Sequence, residues 1–223
     1  MKNETLLPGR STYLRKNANE LLHILINEED LNTIYLINGK KFLTEKISSS
    51  HLIVEPGECY MVINTSRDIT IEIRYNRDIS PHAIVYNPFE QEFYEKMPLN
   101  KDLFTSNFDV PDNYVDVLPK WYSYKFIFAN YNLIFIKPRL GLSFQFHELR
   151  SELWEILAGK PIIVNGNEVS YFVNPGSKFE IQKKAVHTII NTNASEYVLL
   201  KEQWDGEFNE ADIYRLFNPN NYY

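Results

Sequence analysis

The sequence predicts a mainly-β protein, built as a sandwich or a barrel. Short strand-like segments recur about every ten residues between turn residues, which is typical of these folds. Tyrosine (15) and phenylalanine (14) are abundant while glycine (8) is scarce, and aromatic side chains favour strands. The letters NGN at 165–167 indicate a hairpin. A chain of 223 residues has room for one large domain or two small ones.

The first half reads as one helix followed by a run of short strands. Residues 12–28 carry leucine and alanine at helical spacing, which predicts a helix, although their letters LLHILI could begin a strand instead. Five strand-like segments follow, separated by turn residues: NTIYLI, KKFLTEKI, HLIVEP, CYMVINT and ITIEIRY. In the last segment Ile69, Ile71 and Ile73 alternate and are expected to share one face.

The middle and the end of the chain show other patterns. Residues 87–119 contain four prolines, and we expect a connector that wraps against the body, since its aromatic residues argue against disorder. The strand pattern then resumes: WYSYKFIFANYNLIFIKP, KPIIVNGNEVSYFV, SKFEIQ, AVHTIINT and EYVLLKEQW. Residues 209–217 predict a terminal helical turn or short helix, capped by Asn209 and with acidic residues in its first turn.

These changes of pattern indicate two domains, which cover residues 1–110 and 111–223. A weak internal echo relates them, because VEPGECY (54–60) resembles VNPGSKF (173–179), and each precedes the letters INT and then a strand. The echo leaves open whether the two halves share a fold. If they do, the first half lacks the histidine-bearing segment of the second and is expected to be structural.

Charge and cysteine content limit the surroundings of the protein. The net charge of −6 and the pI near 5.5 argue against a nucleic-acid partner, which requires a basic face. The single cysteine, Cys59, excludes an intrachain disulfide and fits a reducing compartment. The first residues lack the apolar core of a signal peptide, and no apolar run approaches the roughly 20 residues of a membrane span. We therefore expect a cytoplasmic protein without membrane contact.

Four polar residues stand out in the apolar second half: Gln145, His147, Glu152 and His187. Side chains alternate along a strand, so Gln145 and His147 face the same side, and Glu152 follows after enough residues for a tight turn. In a closed antiparallel barrel these side chains and His187 could converge. Two imidazoles, a carboxylate and an amide oxygen suit a divalent transition metal. The alternative is a hydrogen-bonded polar patch inside an inert barrel.

The spacing Gln145-x-His147-x4-Glu152-x6-Gly159, followed by His187, resembles the metal-binding pattern of cupins. The surrounding segment is more specifically similar to type II, cupin-type mannose-6-phosphate isomerases, and the matching residues are Lys137, Pro138, Leu142, Ser143, Gln145, His147, Arg150, Glu152, Trp154 and Gly159. The tail is similar to the ending of the same family at Gln203, Glu210, Asp212, Ile213 and Arg215. Together the two motifs cover about residues 118–218.

The resemblance implies a C-terminal cupin, which is a double-stranded β-helix or jelly-roll barrel. The N-terminal β-rich half is then either a separate domain or a second, degenerate cupin, with a dimer-forming or lid role. The resemblance also implies a divalent metal, with Zn²⁺ as the first expectation, and its four ligands would be Gln145, His147, Glu152 and His187.

The activity implied by the resemblance is aldose–ketose isomerisation of a sugar phosphate such as mannose 6-phosphate. Its implied substrate-binding residues are Arg150, Lys184 and Arg215. No general base is evident from the sequence, and Glu148 and Lys184 are the candidates. A homodimer is a further expectation.

The sequence also departs from the family. Leu149 and Leu153 stand where the family has histidines, Gln182 and Lys184 where it has proline and glycine, and Thr188 where it has arginine. Polar residues around a metal orient its ligands and the substrate, and their loss often costs activity. An alternative function is therefore a non-catalytic cupin that binds a sugar, a sugar phosphate or a sugar nucleotide. A different cupin reaction, such as epimerisation or oxygenation, is a third, and Gln145 argues against the oxygenase.

Overall fold

The computed structural model describes residues 2–44, 47, 49–97, 99–207 and 209–220. Within these residues the regular structure consists of twenty strands, one α-helix and one 3-10 helix, Glu28–Thr33. The mainly-β prediction is therefore confirmed. None of the helices in this part of the chain has the length and apolar character needed to cross a membrane.

The first half of the chain forms nine short strands. In chain order these are β1 (Lys2–Leu6), β2 (Leu14–Lys16), β3 (Leu22–Ile26), β4 (Ile34–Asn38), β5 (Lys41–Leu43), β6 (His51–Val54), β7 (Cys59–Asn64), β8 (Ile71–Tyr75) and β9 (Ala83–Tyr86). One antiparallel sheet has the order β1-β8-β3-β6, and the other has the order β9-β2-β7-β4-β5. Buried residues of both sheets pack together and form the core of this half, because apolar side chains alternate along the strands.

The second half repeats this arrangement after one helix, α1 (Lys101–Asn107). Its strands are β10 (Asp116–Lys120), β11 (Ser123–Ile127), β12 (Asn132–Ile136), β13 (Phe144–Phe146), β14 (Arg150–Ala158), β15 (Ile162–Asn165), β16 (Glu168–Ser170), β17 (Lys178–Ile181), β18 (His187–Ile190), β19 (Val198–Gly206) and β20 (Tyr214–Phe217). One sheet has the order β10-β11-β12-β19-β14-β17, and the other has the order β20-β13-β18-β15-β16. The hairpin β10–β11 extends the first of these sheets.

The two halves share one strand order. When β1 is matched with β12 and β9 with β20, every pairing of the first half recurs in the second. Only β10 and β11 are left over. The open question of the internal echo is thereby answered, since each half is a jelly-roll barrel with the same topology.

The letters INT mark equivalent positions in the two barrels. We call Asn64 and Asn191, the asparagines of these letters, the bracket asparagines, because each joins two strands of its own half. The side-chain amide of Asn64 donates to the carbonyls of Leu6 and Ile69, and that of Asn191 donates to the carbonyls of Ile136 and Glu196. The longer echo is not an equivalence, because VEPGECY forms the turn from β6 to β7 whereas VNPGSKF leads into β17. The internal echo therefore predicted a shared fold correctly, although only its INT letters occupy equivalent positions in the two barrels.

The two barrels meet edge to edge. Glu168 of β16 pairs with Lys41 of β5, so that one sheet of each half joins into a continuous sheet of ten strands. A shared apolar core lies beneath this junction, where the rings of Phe42 and Phe144 are 5.5 Å apart. The first half is thus packed against the second. Its expected lid or dimer-forming role stays a prediction, as do the domain bounds 1–110 and 111–223.

Two predicted helices are wrong. Residues 12–28 form β2 and β3, and the strand alternative at LLHILI is correct because the buried residues Leu22, Ile24 and Ile26 repeat every second position. Leu21, which supported the helical spacing, is 42% exposed. Residues 209–217 form a turn and then β20. Asn209 does accept a hydrogen bond from the Ala211 amide, but no helix follows the turn.

The connector at 87–119 wraps as expected against the second barrel. Its helix α1 places Phe104 on an aromatic cluster at the outer face of β11 and β12. The Phe104 ring lies 4.3 Å from those of Phe108 and Tyr124. Aromatic pairs of this kind stabilise packing beyond the area they bury.

Replacing either bracket asparagine should destabilise the fold. In Asn64→Ala or Asn191→Ala, buried backbone carbonyls lose their donor, which we expect to lower the free energy of unfolding by about 2–4 kcal/mol. Urea unfolding followed by circular dichroism measures the change. Asn3→Ala, at an exposed position of β1, is the matched control and should change the stability by less than about 0.5 kcal/mol. Equal stability of Asn191→Ala and this control would contradict the expectation.

Candidate metal centre

Two facing sheets of the second barrel bring His147, Glu152 and His187 together. His147 directly follows β13, and His187 begins β18, the strand that pairs with β13. Glu152 comes from β14 in the facing sheet, where inward residues alternate with more exposed ones. All three side chains are buried. Three of the four predicted ligands therefore converge in the barrel interior.

The ligand atoms of these residues lie within 4.8 Å of one another. His147 Nε2 is 3.1 Å from Glu152 Oε1, and His187 Nε2 is 3.7 Å from Glu152 Oε2. Around a tetrahedral zinc ion, bonds of about 2.1 Å place neighbouring donors about 3.4 Å apart. The spacing of the cluster is close to that of such a site.

Backbone carbonyls set the tautomers of both imidazoles. His147 Nδ1 bonds to the carbonyl of Asp212, and His187 Nδ1 lies 2.9 Å from the carbonyl of Ala185. A carbonyl oxygen only accepts, so each Nδ1 carries the proton. The Nε2 lone pair of His187 faces Glu152, whereas that of His147 accepts from Arg150 Nη2 at 3.0 Å. Metal-binding histidines are oriented in the same way.

The cluster consists of hydrogen-bond acceptors. His187 Nε2 is buried and has no hydrogen-bond partner among the described residues. Burial lowers the pKa of His187 to about 4, so the ring is neutral at pH 7 and this nitrogen has no proton to donate. Burial acts to raise the pKa of Glu152, but its contact with His147 and the positive charge of Arg150 hold that pKa below its usual value. The lone pair of His187 and an ionised carboxylate thus face each other, and a divalent metal fits such a pair.

Arg150 contributes one positive charge at the edge of the cluster. It is 1% exposed, and its Nε donates to Glu152 Oε1 at 2.8 Å. Its Nη2 lies 3.0 Å from His147 Nε2, and its Nη1 donates to the carbonyl of Asn209. Every nitrogen of the guanidinium is therefore committed to the protein. The predicted contact of Arg150 with substrate stays a prediction.

Gln145 occupies the centre of a row across three strands. It lies opposite His187 in the β13–β18 pair and opposite Arg215 in the β13–β20 pair. Its Oε1 accepts a hydrogen bond from Ser143 Oγ at 2.6 Å. Gln145 is thus beside the cluster, and its role as a fourth ligand stays a prediction.

Lys184 lies in the loop before β18 and adopts a left-handed backbone conformation. Its φ is +64°, and its N–H donates to the carbonyl of His147 at 2.7 Å. Glycine adopts this φ without strain, which explains the glycine of the resembling family at this position. The side chain is exposed, and its predicted substrate contact stays a prediction.

Sequence reasoning missed a buried charge pair next to the cluster. Glu202 is 5% exposed and accepts from Asn132 Nδ2 at 2.7 Å, while Lys125 Nζ lies 3.2 Å from its carboxylate. Burial and then the charge of Glu152 raise the pKa of Glu202. Strand parity could have revealed it, because Glu202 follows buried Val198 and Leu200 at two-residue steps.

The charge pair lines a cleft that opens beside the cluster. Gln145 and Arg150 contribute to the floor of this cleft, together with Glu202 and Lys125, and Lys120 and Arg215 lie at its exposed mouth. Glu148, one of the two candidate bases, is exposed and does not line the cleft.

Among the residues that the structure describes, the first barrel has no equivalent cluster. Its pair Arg15–Tyr60 corresponds to Gln145–His187, since Tyr60 and His187 each precede the bracket asparagine by four residues. In the same alignment of the two barrels, Asn17 is the counterpart of His147 and Leu22 is the counterpart of Glu152. Tyr60 instead bonds through its hydroxyl to His82 Nδ1 at 2.8 Å. The described part of this barrel therefore carries the fold without the ligands.

Two jelly-roll barrels in one chain, the second with a His/Glu/His cluster in its interior, form a cupin fold. Residues 109–218 match a family model described as "Mannose-6-phosphate isomerase C-terminal". The match confirms the resemblance that the sequence motifs indicated for the second half. A search of curated protein sequences finds no match.

Solved structures share parts of this architecture. A candidate sugar phosphate isomerase from Acidithiobacillus ferrooxidans ATCC 23270 is 25% identical, with 33% of this chain and 48% of that chain covered and a TM-score of 0.29. The capsular polysaccharide assembling protein CapF from Staphylococcus aureus is 20% identical, with 49% and 33% covered and a TM-score of 0.36.

Oxalate decarboxylase from Lactobacillus farciminis aligns over both barrels. It is 11% identical, with 96% of this chain and 78% of that chain covered and a TM-score of 0.39. The match with this chain covers less than half the length of the candidate isomerase from Acidithiobacillus ferrooxidans and of CapF. All three TM-scores are below 0.5, and the fold follows from the strand pairing of this chain.

The neutral His187 should make stability depend on pH. The pKa of His187 is about 4 in the folded protein and about 6.5 when unfolded, so only the unfolded state binds a proton between these values. The free energy of unfolding should therefore fall by about 3 kcal/mol as the pH drops from 6.5 to 4. Urea unfolding in chelator, with His187→Gln as the comparison, measures this. A variant with the same pH slope as the wild type would contradict it.

Proposed function

We propose that the second barrel binds one divalent transition metal through His147, Glu152 and His187, with Gln145 as the fourth ligand. Zn²⁺ is the metal that we expect. The observation that carries the proposal is the unpartnered, buried His187 Nε2 beside an ionised carboxylate. The Nδ1 hydrogen bonds fix the orientation of both imidazoles. Arg150 already compensates Glu152 and His147, whereas the buried His187 Nε2 has no partner, and a metal ion at the cluster would supply one.

We further propose that this barrel isomerises a hexose phosphate of the mannose 6-phosphate type. The family match over 109–218 and the basic cleft beside the cluster support this reaction. When bound, the metal would polarise the carbonyl and hydroxyl oxygens at C1 and C2 of the sugar. The remaining step of the reaction is proton transfer, which side chains of this protein would perform.

Glu202 is the proposed general base. Its carboxylate lines the cleft, and its raised pKa brings it closer to neutral pH, where general bases are efficient. It would take the proton from C2 and return it to C1 through an enediol, while the hydroxyl proton of O2 moves to O1. Lys125 and Asn132 hold the carboxylate in place. The exchange needs no external oxidant or reductant.

A second candidate function is binding of a sugar phosphate without turnover. Two family histidines are absent here, at Leu149, which is 43% exposed, and at Leu153. A protein that keeps the metal and the cleft but lacks these groups would bind its ligand and release it unchanged. A cytoplasmic site of action fits both functions, because Cys59 is a free, buried thiol.

Metal content tests the centre directly. The protein should retain about one equivalent of a divalent transition metal after purification, and His147→Ala and Glu152→Gln should lose it, as measured by plasma mass spectrometry. His51→Ala, on the exposed side of β6, is the matched control and should keep the metal. A wild-type protein that stays metal-free when supplied with Zn²⁺ would refute the centre.

A coupled assay with mannose 6-phosphate tests the reaction. Glu202→Gln should retain the metal but lose about 10²–10⁴-fold in kcat, since it removes the proton carrier alone. Full turnover in Glu202→Gln would remove that residue from the mechanism. Binding of the hexose phosphate by calorimetry without any turnover would establish the second function in place of the first.

A further inference from the structure

The mouth of the cleft carries two like charges from different sheets. Lys120 ends β10, and Arg215 lies on β20, and both side chains are exposed where they line the cleft. Desolvation by the cleft walls, followed by the charge of Arg215, lowers the pKa of Lys120. Two cations held close together repel each other unless an anion lies between them.

The charge of the whole cleft is positive. Its lining has four basic side chains, Lys120, Lys125, Arg150 and Arg215, and two acidic ones, Glu202 and Glu210. Lys125 contacts both of these carboxylates, at 3.2 Å and 2.7 Å, but one ammonium offsets only one of the two charges. Glu210 also acts on Lys120, so it reduces the positive charge of Lys120 and Arg215 at the mouth without cancelling it. In a chain with a net charge of −6, this local excess of positive charge attracts a small anion.

Strand register sets the distance from the mouth to the candidate centre. Arg215, Gln145 and His187 lie opposite one another on β20, β13 and β18. Neighbouring strands are about 4.8 Å apart, so the backbones of Arg215 and His187 are separated by about 10 Å. Residues in register share one face of a sheet, and an extended six-carbon chain with a terminal phosphate spans such a distance.

We propose that Lys120 and Arg215 form an anion subsite that holds the terminal phosphate of the substrate, from opposite sides of the cleft. The subsite deepens the proposed function and rests on it, since it defines the substrate as a phosphorylated sugar whose reacting carbons lie at the far end from the phosphate. Arg150 is not part of it, because its guanidinium is buried and bonded to the protein. Tyr122, which also lines the cleft, lies beneath Lys120 with its ring 5.7 Å from Lys120 Nζ.

The hairpin β10–β11 is the element that builds this subsite. It supplies both Lys120 and Tyr122, and the described part of the first barrel has no counterpart to it. The cavity volume of the cleft is about 60 Å³, and side chains at its open mouth can move apart to admit a larger ligand. Lys120 and Arg215 can do so, because both are long and exposed.

Binding of inorganic phosphate tests the subsite without metal and without turnover. Calorimetric titration of the full chain in chelator should show phosphate binding, and Lys120→Gln and Arg215→Gln should each weaken it about tenfold or more. Lys120→Arg, which keeps the charge, should retain most of the affinity. Lys160→Gln is the matched control, since Lys160 is exposed at the turn after β14, at the far end of that strand from Arg150.

The outcomes separate the subsite from the proposed reaction. Phosphate binding that depends on Lys120 and Arg215 but not on Lys160 supports the subsite, whether or not the isomerase assay succeeds. No binding by the wild type, or equal loss in Lys160→Gln, overturns it, and an active isomerase would then hold its substrate elsewhere. Circular dichroism confirms that each variant is folded, so that a lost signal reports on binding.

Discussion

The buried carboxylate of Glu152 is the constraint on which the second barrel depends. An ion without water costs several kcal/mol unless charge and hydrogen bonds compensate it. Trp154 Nε1 donates to one oxygen and Arg150 Nε to the other, while His187 turns a lone pair towards it. Arg150 and His147 in turn reach the carbonyls of Asn209 and Asp212. The turn before β20 is therefore held in place by the same charge that prepares the candidate centre.

The first barrel shows what the fold itself requires. It keeps the strand order, the alternation of buried side chains and the bracket asparagine, yet has Leu22 where the second barrel has Glu152. An apolar residue at this position removes the need for Arg150, for paired imidazoles and for a cation. The fold and the candidate centre thus rest on different residues of one topology, and only the second barrel has a buried charge at this position.

The sequence predicted most strands, the turns between them and the convergence of three candidate ligands, because these depend on two-residue alternation and short-range spacing. The helix predicted at residues 12–28 was wrong because the same residues also fit the two-residue alternation of strands. The helix predicted at 209–217 was wrong because the residues of a turn resemble those that begin a helix. Sequence reasoning also missed Glu202 and the burial of Arg150. Those features depend on which strand of the facing sheet lies opposite, and this is settled by tertiary pairing rather than by local pattern.

Most departures from the family lie outside the barrel interior; Thr188 is the exception, since it is buried and donates its hydroxyl to the carbonyl of Leu142. Buried positions on β14 are 150, 152, 154 and 156, so Leu153 has the opposite parity and its side chain points away from the cluster. Leu149, before the strand, is exposed. Lys184 occupies a loop position where the backbone φ, rather than the side chain, is specified. Because the substituted positions lie outside the set of atoms that face Glu152, they leave the acceptor geometry intact, and their effect falls on the surroundings of the substrate.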